Sequence, residues 1–333
     1  MGVKSQTTLP NVANSFLGAN DTGISHFPSF LGLKMHIRCY ANVTSANQKG
    51  PIALFDSGLP FFSTAWVSVI PSVLENMPAW NISKACFMDR YGMGWSDASP
   101  FPITTQDYAM RLRGSLQVAG LTGKYVLVGW SWGSIFVQTY SLAYPKDVVG
   151  ILTVDGTDSQ WGFIHANQQA VIGLTNVFSG YMNMNSMGTL EALSETGAVP
   201  LGHGWFNSGS AYFPDCAVKA TQDIFLTNKN LRASIQEYNI MVLSSAMLNF
   251  TYTLKGDTLK DLPYVNLFAS HDQDWINRQT YMASLSSNSM TLPVVPANHF
   301  VPFVNPDAIV SALAALSNKI KTNPAKIWGR GLF

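Results

Sequence analysis

The chain has 333 residues, with 20 Lys plus Arg against 19 Asp plus Glu and a formal net charge of +1. This balance argues against nucleic acid as the main partner. A hydrophobic content of 47% excludes intrinsic disorder, and no stretch approaches the ~20 consecutive apolar residues of a membrane span. We therefore expect a compact, soluble, globular protein.

The chain begins with a polar segment that lacks the apolar centre of a signal peptide. Two interpretations fit this segment. The protein is intracellular, or it is a secreted or endomembrane protein whose leader has been removed. Three cysteines are too few and too irregularly spaced for a disulfide framework or a zinc site.

Strand-like and helix-like segments alternate along most of the chain, which predicts an α/β fold with a mostly parallel sheet. The predicted strands are 34–40, 51–55, 84–88, 125–128, 148–154, 263–269 and 291–295. The predicted amphipathic helices are 64–76, 105–119, 134–144, 275–285 and 306–316. Several of the strands are continuous apolar runs, as expected of strands that are covered on both faces.

The alternation is interrupted once, between residues 157 and 261, where helical periodicity replaces the strand pattern. We therefore predict a helical insertion over 157–261 within a core formed by residues 1–156 and 262–333.

The strongest local motif is Gly129-x-Ser131-x-Gly133, which follows an apolar strand and precedes a predicted helix. Such a strand–turn–helix holds a serine hydroxyl above the sheet as a nucleophile, and small flanking residues avoid clashes with the neighbouring elements. The alternative is a tight turn without chemistry. The position after a buried strand favours the nucleophile.

A serine nucleophile needs a base, and His299 is the best placed of the six histidines. It follows a late core strand, so its loop overhangs the carboxyl ends of the strands, where the Ser131 turn also emerges. The other histidines lie in early strands, in the insertion, or beside the candidate acid, at positions 26, 36, 165, 203 and 271.

The imidazole in turn needs a carboxylate, and three aspartates follow core strands. We expect Asp272 to take this role, because it preserves the chain order Ser, acid, His. Asp155 and Asp274 also reach the carboxyl edge of the sheet. His271 next to Asp272 and Asp274 does not make a ligand set, so no metal and no cofactor is expected.

Acyl transfer also requires hydrogen-bond donors for the oxyanion. We expect the backbone N–H of Trp132, which follows the nucleophile, and the N–H of Leu59, in the loop 56–60 after an early strand, to serve.

Together these features resemble the α/β-hydrolase superfamily over nearly the whole chain. Gly58-Leu-Pro60 is similar to the family's His-Gly-x-Pro motif, with Ser57 in place of His. Asp89-Arg-x-Gly-x-Gly-x-Ser96 is similar to the family's loop after its fourth strand, and Asn298-His-Phe300 is similar to its histidine loop without the Gly. The Ala269-Ser-His-Asp272 segment resembles its acid loop, with Ala in place of Gly.

The resemblance implies an α/β-hydrolase fold with 157–261 as a helical cap. If the family's strand order holds, Cys39 and Cys86 lie on neighbouring strands, either as a disulfide or as two buried thiols. The sequence Gly-Trp-Ser-Trp-Gly is also similar to that of proline iminopeptidases, which leaves the subfamily open.

Apolar side chains of the insertion predict its own small core and, in part, an adaptable wall above Ser131. Trp130 adds bulk beside the nucleophile. The candidate substrate-binding methionines are Met182, Met184, Met187 and Met241.

We expect a serine hydrolase that cleaves a carboxylic ester, lactone or thioester with an apolar or aromatic moiety. The alternatives are a proline iminopeptidase-type aminopeptidase and a non-catalytic protein that binds an apolar ligand. An aminopeptidase needs an anchor for an ammonium group, and no acidic cluster of the insertion is an obvious one, although Glu191, Glu195 and Glu237 are available.

Overall fold

The computed structural model describes residues 9–41, 49–190, 193, 213–254, 256, 258–295 and 298–322. Ten strands are formed, and we number them β1 to β10: Ile24–His26, Ser29–Phe30, Leu33–Lys34, Ile37–Ala41, Ile52–Asp56, Lys84–Met88, Tyr125–Trp130, Val148–Val154, Tyr264–Ala269 and Ser289–Val294. The helices, α1 to α9, are Ile70–Trp80, Thr105–Val118, Gly133–Ala143, His165–Ser186, Asp215–Phe225, Asn228–Thr253, Gln273–Ser284, Val301–Val304 and Pro306–Lys321.

Eight strands form one sheet in the order β1-β4-β6-β5-β7-β8-β9-β10, and β2 pairs with β3 in a small separate ribbon. The strands β1 and β4 are antiparallel to their neighbours, and the others are parallel. Every residue of β5, β7, β8 and β9 is buried. This confirms the mostly parallel α/β sheet expected from the apolar runs.

Helices cover both faces of the sheet. Gly150 of β8 faces α9, since a Cβ added there would lie 2.8 Å from Cδ1 of Ile320. Thr153 points to the opposite face, where its hydroxyl donates to Asn266 Oδ1 at 2.7 Å. The Asn266 amide then donates to the carbonyl of Gln279 in α7 at 2.8 Å. The parallel strands are therefore buried between two helical layers.

Two predicted elements differ in detail from the structure. The predicted strand 34–40 is divided between β3 and β4, with a break at residues 35–36. The predicted helix 64–76 begins as a 3-10 turn over Ser63–Trp66 and continues as α1. The short strand β1 extends the sheet by pairing with β4, and no sequence pattern predicted it.

Cys39 and Cys86 face each other across the β4–β6 pair and form a disulfide, with their Cα atoms 4.1 Å apart. Of the two arrangements left open by the sequence, the structure therefore has the bridge. Cys216 is a free thiol.

Between β8 and β9, the secondary structure of the described residues is helical, formed mainly by α4, α5 and α6. Several polar contacts fix these helices to the core. Thr64 bonds Thr221 at 2.6 Å, Lys229 donates to two carbonyls of the loop after β6, and Glu237 pairs with a buried arginine. The boundaries 157–261 remain a prediction. Among the described helices, none combines the length and the apolarity needed to cross a bilayer.

Candidate active site

Ser131 lies in the turn between β7 and α3, with a positive φ of 53°. Its backbone N–H donates to the Val154 carbonyl at 2.9 Å, and its own carbonyl accepts from the N–H groups of Ser134 and Thr157. A positive φ is strained for any residue with a Cβ, and it persists where surrounding bonds determine it. The serine is therefore held in a sharp strand-to-helix turn, as its motif predicts.

The two flanking glycines are required by close backbone contacts. A Cβ at Gly129 would lie 2.6 Å from the Gly133 carbonyl oxygen. A Cβ at Gly133 would lie 2.5 Å from the carbonyl oxygen of Asp56, at the end of the neighbouring strand. Any larger residue at either position would push α3 away from the sheet.

His299 follows β10 and reaches back over the sheet to Ser131. Its Nε2 lies 2.9 Å from Ser131 Oγ, and its Nδ1 lies 2.6 Å from Asp155 Oδ2. Because an ionised carboxylate only accepts hydrogen bonds, Nδ1 carries the proton and Nε2 presents its lone pair to the serine hydroxyl. Trp130 Nε1 donates to the His299 carbonyl at 2.9 Å and fixes the loop.

The carboxylate bonded to His299 is that of Asp155, so the expectation that Asp272 occupies this place needs correction. Asp272 is exposed, and its Oδ1 accepts from the Trp275 N–H at 2.8 Å as the N-cap of α7. Asp274 lies in the first turn of the same helix and is also exposed. Asp155 was the alternative left open by the sequence.

The segment from the end of β9 to the first turn of α7 instead supplies donors to Asp155. The Ala269 N–H and Trp275 Nε1 donate to Asp155 Oδ1 at 2.9 and 2.8 Å. His271 Nε2 lies 3.2 Å from Oδ2, on the same oxygen that His299 contacts. The side chain of Asp155 is 0% exposed, and a buried carboxylate is tolerated only when such partners satisfy it. The segment from Ala269 to Asp272, which resembles the family's acid loop, thus supplies hydrogen-bond donors to Asp155 and does not supply the carboxylate itself.

Leu59 and Trp132 are the residues whose backbone N–H groups the sequence predicts as oxyanion donors. Trp132 is the N-cap residue of α3, directly after Ser131. The loop containing Leu59 packs against the nucleophile, since a Cβ at Gly58 would lie 2.9 Å from Ser131 Cβ. Among the described residues, neither backbone N–H donates to another protein group, so both are available to a bound oxygen.

Ser57 stands where the His-Gly-x-Pro motif has its His, and it stabilises the loop 56–60. Its hydroxyl donates to the Phe62 carbonyl at 3.0 Å and accepts from Trp66 Nε1 at 2.9 Å. At the position where the motif has His, this chain therefore has a buried serine with two hydrogen bonds.

A buried ion cluster lies behind the same loop. Arg90 donates through Nη1 to Asp56 Oδ1 at 2.5 Å and to the Ser57 carbonyl at 2.6 Å, and through Nε to Glu237 at 2.9 Å. Burial raises the pKa of Asp56 and that of Glu237, although Arg90 partly offsets both shifts. The cluster thus joins the loop after β5 to α6.

The loop from Asp89 to Ser96, which is similar to a motif of the family, has a structural role. Asp89 accepts from His36 Nδ1 at 2.6 Å, from the Ser63 N–H at 2.8 Å and from the Trp95 N–H at 2.9 Å. Burial alone would raise the pKa of Asp89, but His36 and these donors outweigh it, and the pKa is lowered. This pair holds the loop after β6 against β4.

Aromatic rings surround Ser131 and His299. Trp130 lies beside His299, with ring centroids 6.0 Å apart. It also packs on Phe61 at 5.3 Å, on Phe300 at 6.1 Å and on Phe303 at 5.6 Å. The sequence analysis did not single out these three phenylalanines, although Phe300 adjoins His299 and Phe61 follows the Leu59 loop.

This aromatic wall continues into the inserted helices. Phe61 contacts Phe225 of α5 at 6.2 Å, and Phe225 contacts Phe178 of α4 at 6.1 Å. Among the candidate methionines, Met241 is buried, and Met182 and Met184 are half-buried against the core. Met187 is 69% exposed at the end of α4. The described walls are therefore more aromatic than methionine-rich.

Two curated yeast proteins share short segments with this chain. An uncharacterized vacuolar membrane protein of Saccharomyces cerevisiae is 30% identical over 128 residues, which are 35% of this chain and 19% of that protein. An uncharacterized protein of Schizosaccharomyces pombe is 32% identical over 78 residues, 23% of this chain and 15% of that protein. The chain thus spans less than a fifth of the curated relatives it matches.

Solved structures with little sequence identity share the fold. A thermophilic esterase from Thermogutta terrifontis has a TM-score of 0.61 and 16% identity, covering 90% of this chain and 99% of that one. Est816, an enzyme that degrades N-acyl homoserine lactones, has a TM-score of 0.59 and 14% identity, covering 87% and 99%. The haloalkane dehalogenase DatA from Agrobacterium tumefaciens has a TM-score of 0.65 and 15% identity, covering 90% and 98%.

Because these neighbours carry out different reactions, they establish the fold and leave the reaction to the site. The sequence profile of the Alpha/beta hydrolase family matches residues 53–312, which contain the turn from Gly129 to Gly133, Asp155 and His299. The chain belongs to the α/β-hydrolase family.

Proposed function

We propose that this protein is a serine hydrolase that cleaves a carboxylic ester, lactone or thioester through an acyl-enzyme on Ser131. The observation that carries the proposal is the unbroken hydrogen-bond chain from Ser131 Oγ through His299 to Asp155. Family membership supports hydrolysis. The serine mechanism rests on these hydrogen bonds.

In this mechanism His299 Nε2 accepts the hydroxyl proton while Ser131 Oγ attacks the carbonyl carbon. Asp155 stabilises the imidazolium and keeps Nδ1 protonated. The N–H groups of Leu59 and Trp132 bind the oxyanion. The imidazolium then protonates the leaving alcohol, and water activated by the same histidine releases the acid.

The aromatic wall favours an apolar acyl or alcohol group. The buried rings of Trp130 and Phe225 both pack on Phe61, and Trp130 directly precedes Ser131 in the chain. An apolar substrate group that enters among these rings meets carbon surface, and that contact gains free energy. The esterase and the lactone-degrading neighbours are consistent with this substrate class, though their likeness concerns the fold alone.

The aminopeptidase alternative loses support at Glu237. This carboxylate is already paired with Arg90 at 2.9 Å and is buried, so it is not available to a substrate ammonium group. Glu191 and Glu195, the other two candidates, lie outside the described residues.

Covalent labelling with a fluorophosphonate tests the proposal without knowledge of the natural substrate. We expect the native protein to be labelled on Ser131, and we expect Ser131→Ala to lose labelling and turnover while keeping its circular dichroism spectrum. The matched control is Ser186→Ala, an exposed serine near the end of α4.

A panel of p-nitrophenyl esters of graded acyl length, one lactone and one prolyl arylamide then separates the reactions. Faster hydrolysis of apolar esters supports the proposal. Preference for the arylamide would favour the aminopeptidase, and absence of labelling in the folded native protein would favour a non-catalytic binding protein.

A further inference from the structure

A second histidine shares the carboxylate of the proposed triad, and the reaction as derived above does not use it. Asp155, His271 and His299 each offer one ligand atom, and these atoms lie within 4.8 Å of one another. Asp155 Oδ2 lies 3.2 Å from His271 Nε2 and 2.6 Å from His299 Nδ1. The side chain of Asp155 is fully buried, whereas those of His271 and His299 are 35% and 38% exposed. A small ion in solvent can therefore reach the two imidazoles while the carboxylate lies beneath them.

Two imidazole nitrogens and one carboxylate oxygen form a donor set that zinc prefers. Tetrahedral zinc with bonds of about 2.0–2.2 Å places its ligand atoms about 3.3 Å apart. The distance from Asp155 Oδ2 to His271 Nε2 is already 3.2 Å. The 2.6 Å contact between Asp155 and His299 must lengthen, and the imidazoles must turn so that their ligand atoms, within 4.8 Å of one another, also reach about 3.3 Å.

Asp155 presents one oxygen to this site because its other oxygen is occupied. Oδ1 accepts from the Ala269 N–H and from Trp275 Nε1, and these bonds hold the carboxylate in place. Oδ2 faces the two histidines. The fourth position of a tetrahedral ion would be left to water.

We propose that Asp155, His271 and His299 bind a divalent zinc ion that reversibly inhibits the enzyme, an effect that rests on the proposed function. When zinc takes the Nδ1 lone pair of neutral His299, the single ring proton must reside on Nε2. Nε2 then donates towards Ser131 Oγ and has no lone pair with which to accept its proton. At His271 the proton likewise moves from Nε2 to Nδ1, so both rings stay neutral and no proton is released.

The binding half of the test uses Zn²⁺ alone, in competition with a chromogenic chelator, on protein without an affinity tag. His271→Gln retains a hydrogen-bond donor for Asp155 but removes the imidazole ligand. We expect one zinc ion per native chain and an affinity at least about tenfold weaker in His271→Gln. His165→Ala, an exposed histidine at the start of α4, is the control and should bind like the native protein. Equal zinc affinity in the native and His271→Gln proteins would overturn the site.

The inhibition half measures fluorophosphonate labelling and ester hydrolysis at increasing Zn²⁺, each relative to the same variant without metal. Zinc should suppress both in the native protein, EDTA should restore them, and His271→Gln should need at least about tenfold more zinc. Suppression at the same zinc concentration in both proteins would refute the inhibitory role. Zinc binding that depends on His271, in a protein without labelling or turnover, would instead refute the proposed function and leave the site intact.

Discussion

Replacing Asp155 by Asn preserves the shape of the side chain but changes what it offers to His299. The Asn Oδ1 can still accept from the Ala269 N–H and from Trp275 Nε1. The amide NH₂ then takes the place of Oδ2 and points at His299 Nδ1. To accept a hydrogen bond there, the imidazole must move its proton to Nε2, which removes the lone pair that faces Ser131.

The expected loss follows from this tautomer. An equivalent change in a serine protease with a Ser-His-Asp triad lowers kcat by about 10⁴, or about 5 kcal/mol of transition-state stabilisation. Asp272→Asn is the matched control. Asp272 only caps α7, and Asn is as good an N-cap as Asp, so we expect activity within about twofold of the native protein.

The assay is kcat/KM on a short p-nitrophenyl ester, together with the rate of fluorophosphonate labelling. Thermal unfolding is measured in parallel, because a folded but inactive variant is required. A folded Asp155→Asn protein with activity within about tenfold of native would refute the reasoning. So would an Asp272→Asn protein that loses more than about a hundredfold.

Three further predictions concern packing, charge and substrate choice. Gly133→Ala should lower stability by about 1–3 kcal/mol and reduce turnover, because its Cβ would lie 2.5 Å from the carbonyl oxygen that ends β5. Gly173→Ala, in open space on α4, should be neutral or stabilising by up to about 1 kcal/mol in the same urea titrations. The raised pKa of Glu237 means that this carboxyl stabilises the fold below its unfolded pKa and loses that contribution as pH rises through its folded pKa. Glu237→Gln lacks this titration, so its free energy of unfolding relative to that of the native protein should increase from about pH 4.5 upward. A fall in this difference with rising pH, measured by urea unfolding, would contradict the prediction. Phe225→Leu should raise the kcat/KM ratio of long over short acyl esters by about tenfold, whereas Phe250→Leu, on the exposed side of α6, should leave the ratio unchanged.

The sheet and the turn from Gly129 to Gly133 could be predicted because each depends on a sequence pattern within a short segment. Continuous apolar runs predicted strands buried on both faces, and each such strand is found. Gly129 and Gly133 predicted a turn that only small residues permit, and the backbone distances give the reason. His299 followed from its place after the last strand, since a loop there leaves the same edge of the sheet as the Ser131 turn, and it does reach Ser131.

The aromatic wall could not be predicted in the same way. Phe61, Phe300 and Phe303 belong to segments that also supply the core, and a phenylalanine in such a segment has the same sequence pattern whether it packs inward or lines a site. Their convergence on Trp130 depends on three loops that are far apart in the chain. Proximity of Phe300 to His299 was the one available signal.

The position of the acid shows most clearly where sequence reasoning reaches its limit. Asp155 and Asp272 follow the adjacent parallel strands β8 and β9, and the Asp155 N–H bonds the Leu267 carbonyl of β9. Neighbouring strands lie about 4.8 Å apart, so a carboxylate after either one can reach the same imidazole. Both also satisfy the order Ser, acid, His, and that rule therefore carries no information here.

What distinguishes the two aspartates is the supply of donors. Asp272 is exposed and already caps α7, so turning it towards His299 would leave the helix N-terminus uncapped, at a cost of about 0.5–2 kcal/mol. Asp155 is buried, and the segment from the end of β9 to the first turn of α7 gives it the Ala269 N–H, Trp275 Nε1 and His271. A buried carboxylate is held rigidly only where its bonds are satisfied. Asp272 follows β9 and could have carried the acid. The segment after β9 instead fixes Asp155, which follows the adjacent strand β8, and it does so through the side chains of Trp275 and His271.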